Sequence, residues 1–206
     1  MSLRLRYPLS LVVLLLATCS GCFSSGPPRE VGPSFDPSAI GAAAVKEYDT
    51  NGDGAIAGPE LDKVPGILKA LEHYDTNGDK RVTADTIAAR IRQWQESGVQ
   101  LTTTFCIVML DDKPLDGATV TYEPEKFMGS ELSPATGKTS PTGTAVPQIQ
   151  DKHGIRLGLY KVRISKMGAD GKEMIPARYN TDTTLGDEVA PNPGEQDHTV
   201  FKLKSK

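Results

Sequence analysis

The chain has 206 residues, of which 38 % are hydrophobic and 24 % charged, with 20 glycines, 15 prolines and a formal net charge of −3. Such a composition belongs to globular proteins, and its density of turn formers excludes a mainly helical molecule. The acidic balance argues against nucleic acid as a partner, and the length leaves room for an export segment and one or two small domains.

Arg4 and Arg6 precede an apolar stretch, Leu9 to Ala17, that is short for a membrane span and runs directly into small residues and cysteine. This is the order of a cleaved export signal over residues 1–18. Leu16-Ala17-Thr18-Cys19 resembles the lipobox of bacterial lipoproteins, whose cysteine is acylated and becomes the first mature residue. Cys19-Ser20-Gly21-Cys22 offers an overlapping alternative: the leucine three before Cys19 favours that cysteine, and the glycine before Cys22 favours the other. The resemblance implies a lipid anchor in the cell envelope, at the outer membrane or periplasmic face, with the membrane and an envelope protein or component as partners. Loss of residues 1–18 removes two arginines and no acid, taking the net charge to −5. Residues 19–35 are rich in serine, glycine and proline and lack apolar periodicity, which predicts a flexible tether.

Asp36-Pro37 has the chemistry of an N-cap followed by proline at the first helical position, and the alanine-rich run Ala39 to Tyr48 predicts a helix behind it. Leu61, Val64, Ile67, Leu68 and Leu71 recur at three- and four-residue spacings, so Leu61 to Tyr74 reads as an amphipathic helix, kinked or split at Pro65-Gly66. Ile87, Ile91 and Trp94 mark one face of a further helix that Ser97-Gly98 stops. Residues 36–98 therefore read as a small helical unit.

Between these helices lies Asp49-Thr50-Asn51-Gly52-Asp53-Gly54-Ala55-Ile56-Ala57-Gly58-Pro59-Glu60, which satisfies the whole spacing of an EF-hand calcium loop. Ca²⁺ is a hard cation taking six to eight oxygens. Asp49, Asn51 and Asp53 would supply side-chain oxygens, Ala55 its carbonyl and Glu60 two oxygens, with Gly54 making the sharp turn and Ala57 leaving the ninth position to water. A second copy starts 26 residues later at Asp75, and the hexapeptide Tyr-Asp-Thr-Asn-Gly-Asp occurs in both, which marks an internal duplication. Its candidate ligands are Asp75, Asn77, Asp79, the carbonyl of Arg81 and Asp85. Lys80 replaces the turn glycine and Thr86 the closing glutamate, so this loop is expected to bind Ca²⁺ more weakly or not at all. Ile56 and Val82 occupy matching positions where two such loops pair in a short β-contact. Residues 36–98 contain no methionine, which disfavours a cytosolic sensor exposing a methionine-rich groove.

From Val99 the texture becomes β. Val99, Leu101, Thr103, Phe105, Ile107 and Met109 alternate along an extended run ended by Asp111-Asp112-Lys113-Pro114. Ala118–Tyr122, Gly143–Ile149, Tyr160–Ile164 and a last segment with Phe201 and Leu203 read as further strands. The expected architecture is α+β, a helical EF-hand unit followed over residues 99–206 by an antiparallel β-sandwich.

This half resembles the carboxypeptidase regulatory-like domain, a transthyretin-like sandwich. Val108 to Val120 is similar to its opening strand, variable turn and Gly117-Ala118-Thr119-Val120 segment, and Ala135 to Gly143 looks like its threonine-to-glycine turn, with Ser140 where aspartate is commoner. Gly158-Leu159-Tyr160-Lys161-Val162 and Ile175-Pro176-Ala177-Arg178-Tyr179 resemble its later segments. The resemblance implies fold and an accessory role, not peptidase chemistry.

No catalytic pattern is present. His73, His153 and His198 fall in separate segments with no HExxH, nucleophile-elbow or phosphate-loop spacing, and read as solvated surface residues. Cys106, within an apolar run, reads as a buried small hydrophobe. Lys161, Arg163, Lys202 and Lys204 read as outward strand faces, and Tyr122, Tyr160 and Tyr179 as core. The expected function is that of a non-enzymatic, membrane-anchored calcium-binding lipoprotein. The alternatives are a carrier of a small ligand or peptide and an accessory subunit of a secreted hydrolase.

Overall fold

In the computed structural model, which describes residues 35–150, 152–191 and 198–206, Asp36 and Pro37 open the first helix as their chemistry requires. The Asp36 carboxylate accepts from the N–H groups of Ser38 and Ala39 at 3.0 and 3.1 Å, capping α1 (Pro37–Tyr48). The export segment, Cys19, Cys22 and all of the tether but Phe35 lie outside the described residues.

The amphipathic segment Leu61–Tyr74 is split at Pro65 as expected and broken once more at Ala70, giving a 3₁₀ turn (Gly58–Lys63), α2 (Pro65–Lys69) and α3 (Leu71–Tyr74). Proline disfavours helical geometry in the residue before it, and Val64 accordingly leaves the helix at φ −124°, ψ 70°, letting Pro65 begin a new one. Leu61, Val64 and Ile67 are buried as the spacing predicts, but Leu68 is left exposed because each break resets the rotation. Strands β1 (Ala55–Ala57) and β2 (Arg81–Thr83) pair antiparallel, with Ile56 directly opposite Val82 and both fully buried. Helix α4 (Ala84–Glu96) begins in a reciprocal cap between Thr83 and Thr86 and buries Ile87, Ile91 and Trp94. A side chain at Gly41 would place its Cβ 2.2 Å from the Ala84 carbonyl oxygen, so glycine is what lets α1 lie directly on the start of α4.

The extended run from Val99 splits into β3 (Leu101–Thr102) and β4 (Phe105–Leu110). Cys106 and Val108 of β4 point inward, whereas Phe105 is 38 % exposed and Ile107 and Met109 are half-buried. Both faces of this strand are apolar, so alternation by itself could not decide which one turns to the core. There follow β5 (Lys113–Pro114), β6 (Thr119–Pro124), β7 (Ala135–Lys138), β8 (Thr144–Ala145), β9 (Ile155–Arg156), β10 (Gly158–Ser165), β11 (Gly186–Val189) and β12 (His198–Leu203). One four-stranded sheet has the order β11-β10-β6-β7, all antiparallel. In the other, β12-β4-β5 with β8 also on β4, the pairing of β12 with β4 is parallel, from His198 opposite Phe105 to Leu203 opposite Leu110. The expected wholly antiparallel arrangement is thus corrected: the last strand returns beside the first long one in the same direction, which a short hairpin could not achieve. Segment Ala135–Lys138, expected as part of a turn, is a strand, and of Gly143–Ile149 only Thr144–Ala145 is.

Tyr122 stands at the meeting of the sheets, edge-on to Tyr160 at 5.8 Å and to Phe201 at 6.5 Å. Apolar side chains of the helical half, among them Ile67, Tyr74 and Ile91, belong to the same buried cluster as Leu159, Val162 and Leu203 of the strands. Helix α2 rests on the backbone of β10 and β11: a Cβ at Gly186 would fall 2.1 Å from the Pro65 carbonyl carbon. No described helix is long and apolar enough to cross a membrane.

Candidate functional site

The first loop is shaped by its own acids. Asp49 accepts from the N–H groups of Gly52 at 2.7 Å, Asp53 at 3.2 Å and Gly54 at 2.8 Å, and Asn51 Oδ1 accepts from Asp53 N–H at 2.8 Å. Gly52 and Gly54 take φ of 74° and 83°, backbone that an L side chain disfavours. Glu60 folds back over the turn, its Oε1 accepting from the Thr50 N–H at 2.7 Å, the Thr50 hydroxyl at 2.8 Å and the Asn51 N–H at 3.2 Å, its Oε2 from the Ala57 N–H at 3.2 Å. The Thr50 hydroxyl, seconded by these N–H groups, holds the Glu60 carboxyl below the usual carboxylate range. Asp49, Asn51, Asp53, Ala55 and Glu60 are therefore carried by one turn, as hard oxygen donors of the kind Ca²⁺ takes. Among the described residues no three His, Cys, Asp or Glu side chains converge as a metal-holding group; Glu60 is turned to the loop's backbone.

The second loop repeats the turn without the closure. Asn77 Oδ1 accepts from the Asp79 N–H at 3.2 Å and Asp79 Oδ1 from the Arg81 N–H at 2.8 Å. Lys80 adopts φ 57°, the conformation Gly54 takes freely, with its N–H on Asp75 Oδ2 at 3.0 Å. Thr86, where the closing glutamate would stand, is committed to the cap with Thr83, and Asp85 is exposed in the first turn of α4. Asp75 Oδ1 is buried with no hydrogen-bond partner. The Arg81 side chain leaves its own loop altogether: Nη1 and Nη2 donate to Asp53 Oδ2 and Oδ1 at 3.1 and 3.0 Å.

Two glutamates outside the expected site tie the loops to the strands. The tyrosine preceding each loop donates its hydroxyl to a carboxylate on the strand half: Tyr48 to Glu125 Oε2 at 3.0 Å, and Tyr74 to Glu188 Oε1 at 2.8 Å. Glu188, whose side chain is 2 % exposed, also receives Arg90 Nε at 3.0 Å and Nη2 at 2.8 Å, with His73 Nδ1 at 2.7 Å. Glu125, 1 % exposed, has Lys161 Nζ at 3.6 Å, and its Oε1 has no hydrogen-bond partner. Burial pushes the Glu125 carboxyl up to about 7, against the pull of Lys161. The tyrosines sit in the duplicated hexapeptide and so were visible in the sequence; the acids, brought from about 77 and 114 residues away, carried no local signal.

The remaining candidates stay apart from the loops. His73 is held against Glu188 rather than solvated, His198 stacks on Phe105 with ring centroids 4.8 Å apart, and His153 is exposed. Cys106 is buried, and burial pushes its thiol up to about 12, so it is inert. Lys161 and Arg163 are half-buried beside Glu125 and Glu123, while Lys202 and Lys204 face outward. Tyr122 and Tyr160 are core; Tyr179 is only partly covered. Tyr122 donates to Asp187 Oδ2 at 3.0 Å, and burial pushes that carboxyl up to about 6. A cleft of about 240 Å³ lies beside it, lined by Lys69, His73, Thr103, Glu188 and His198 among others. No protein-family model matches the chain, and no curated protein matches it either.

Proposed function

We propose that the chain is a calcium-binding lipoprotein of the cell envelope, anchored through Cys19 or Cys22 and without catalytic activity, in which an EF-hand pair braces a transthyretin-like β-sandwich. The observation that carries the reading is the loop Asp49–Glu60, whose Asp49, Asn51, Asp53, Ala55 and Glu60 oxygens lie on one turn backed by the buried Ile56–Val82 pair. Those residues would hold the ion, which when bound supplies a fixed divalent charge that ties the loop together; Glu60 would exchange its backbone donors for it. The second loop supplies the bracing strand. Two four-stranded sheets meeting at Tyr122 and Phe201 support the sandwich. Isothermal calorimetry of the chain from residue 19 with Ca²⁺ is expected to give one site per chain, lost in Glu60→Gln and kept in Asp75→Asn. Absence of any heat, or binding indifferent to Glu60→Gln, sinks the metal assignment.

A second reading, carriage of a small polar ligand, draws on the cleft between α3 and β11–β12 with its threonine hydroxyls and histidines. Native mass spectrometry of the purified chain would then show a retained small molecule, displaced in His198→Leu; a bare mass removes this reading.

A further inference from the structure

Arg81 stands at the seventh position of the second loop, in register with Ala57 of the first. The register is fixed by Ile56 and Val82, both without solvent exposure, so the Arg81 backbone is held in place beside the first loop. Its guanidinium crosses to Asp53, meeting both carboxylate oxygens at 3.0 and 3.1 Å and the Asp53 carbonyl at 3.4 Å. Asp79, in its own loop, accepts instead from the Arg81 backbone N–H and the Asn77 side-chain amide. The pairing depresses the Asp53 carboxyl and raises the guanidinium, as a specific charge partner does.

We infer that Arg81 is a tethered counter-cation for the first loop that competes with Ca²⁺ for Asp53 and so sets the affinity of that site; this rests on the calcium reading above. A guanidinium is charged at every accessible pH and cannot leave by losing its proton. Metal on Asp53 would sit a few ångströms from it, so binding requires Arg81 to swing away. Both partners are exposed to water, Arg81 by 39 % and Asp53 by 37 %, which makes release easy: the arginine tunes the site and does not block it.

The test is calcium calorimetry on the chain from residue 19, as wild type, Arg81→Met and Arg81→Lys, at low and at physiological salt. Arg81→Met is expected to bind up to roughly fivefold tighter, the effect of no longer having to displace an exposed ion pair from Asp53. Its affinity is expected to fall more steeply with salt, since the loop is then more negative. Arg81→Lys, which keeps the charge and loses the two-pronged contact, is expected to lie between. Equal or weaker binding by Arg81→Met, with the wild type binding, overturns the inference and leaves the calcium reading standing. No binding by either overturns both, and binding by Arg81→Met alone supports the competition. An independent readout is the Arg81 Nε–Hε resonance in the wild type, expected to shift when Ca²⁺ replaces chelator; a resonance unmoved by bound Ca²⁺ also overturns the inference.

Discussion

The two copies of Tyr-Asp-Thr-Asn-Gly-Asp have the same turn and opposite surroundings. At the second copy, Tyr74 meets a glutamate already held by Arg90 and His73, so the buried charge of Glu188 is matched on both oxygens. At the first, Tyr48 meets Glu125, which has a lysine 3.6 Å away and one oxygen without a partner. Metal-ligand quality runs the other way: the first loop has its glycine and glutamate, and the second has Lys80 and Thr86 in their places. The two copies thus differ in opposite senses: the first keeps the glycine and glutamate that the proposed ion site needs, and the second has the better-matched anchor to the strands.

The largest effect expected from this contrast is at Glu188. Glu188→Gln removes the buried carboxylate that receives Arg90, His73 and Tyr74 together and is expected to cost about 3–5 kcal/mol in urea unfolding, the usual result of breaking one side of a buried pair. Glu125→Gln is expected to be neutral or mildly stabilising at pH 8, because it removes a charge that burial already disfavours. A loss at Glu125 equal to that at Glu188 breaks the comparison.

Next is the pH dependence. The Glu125 carboxyl is raised from 4.5 to about 7 in the folded chain, so between those values the folded state holds a proton that the unfolded state has lost. Stability from this group is complete below about 4.5 and is lost as pH rises through about 7. Asp187, raised from 3.8 to about 6, adds a loss of the same sign in the lower part of that window. The melting temperature is expected to fall from pH 5 to pH 8, and to fall less in Glu125→Gln; a rise over that range contradicts the burial of these acids.

The smallest effects are at the hydroxyls. Tyr74→Phe removes a hydrogen bond to a matched charge and is expected to cost about 1.5–3 kcal/mol. Tyr48→Phe, whose acceptor is only partly ionised near pH 7, is expected to cost about 1 kcal/mol. Chemical denaturation distinguishes them, and the reverse order would show that the first copy is the principal anchor.

Much of the local structure was legible because it is written in contiguous residues. Asp36-Pro37 announced α1, the Asp49–Glu60 spacing announced the turn, and Ile56 and Val82 announced their own pairing. Pro65 likewise marked the break in Leu61–Tyr74, but the second break at Ala70, and with it the exposure of Leu68, has no proline or glycine to signal it. The run from Val99 is apolar on both sides, so its alternation does not mark an inner face, although Cys106 is buried as its apolar neighbours predict.

What the sequence determined by itself, then, is the pair of loops, the helices beside them and the α+β character, since each depends on residues within a dozen positions of one another. The parallel return of β12 onto β4, the burial of Glu125 and Glu188 under the two tyrosines, and the crossing of Arg81 to Asp53 were decided only by tertiary structure. Each joins residues far apart in the chain, and a charge or a hydroxyl carries no mark of its partner until packing removes the water that would otherwise satisfy it.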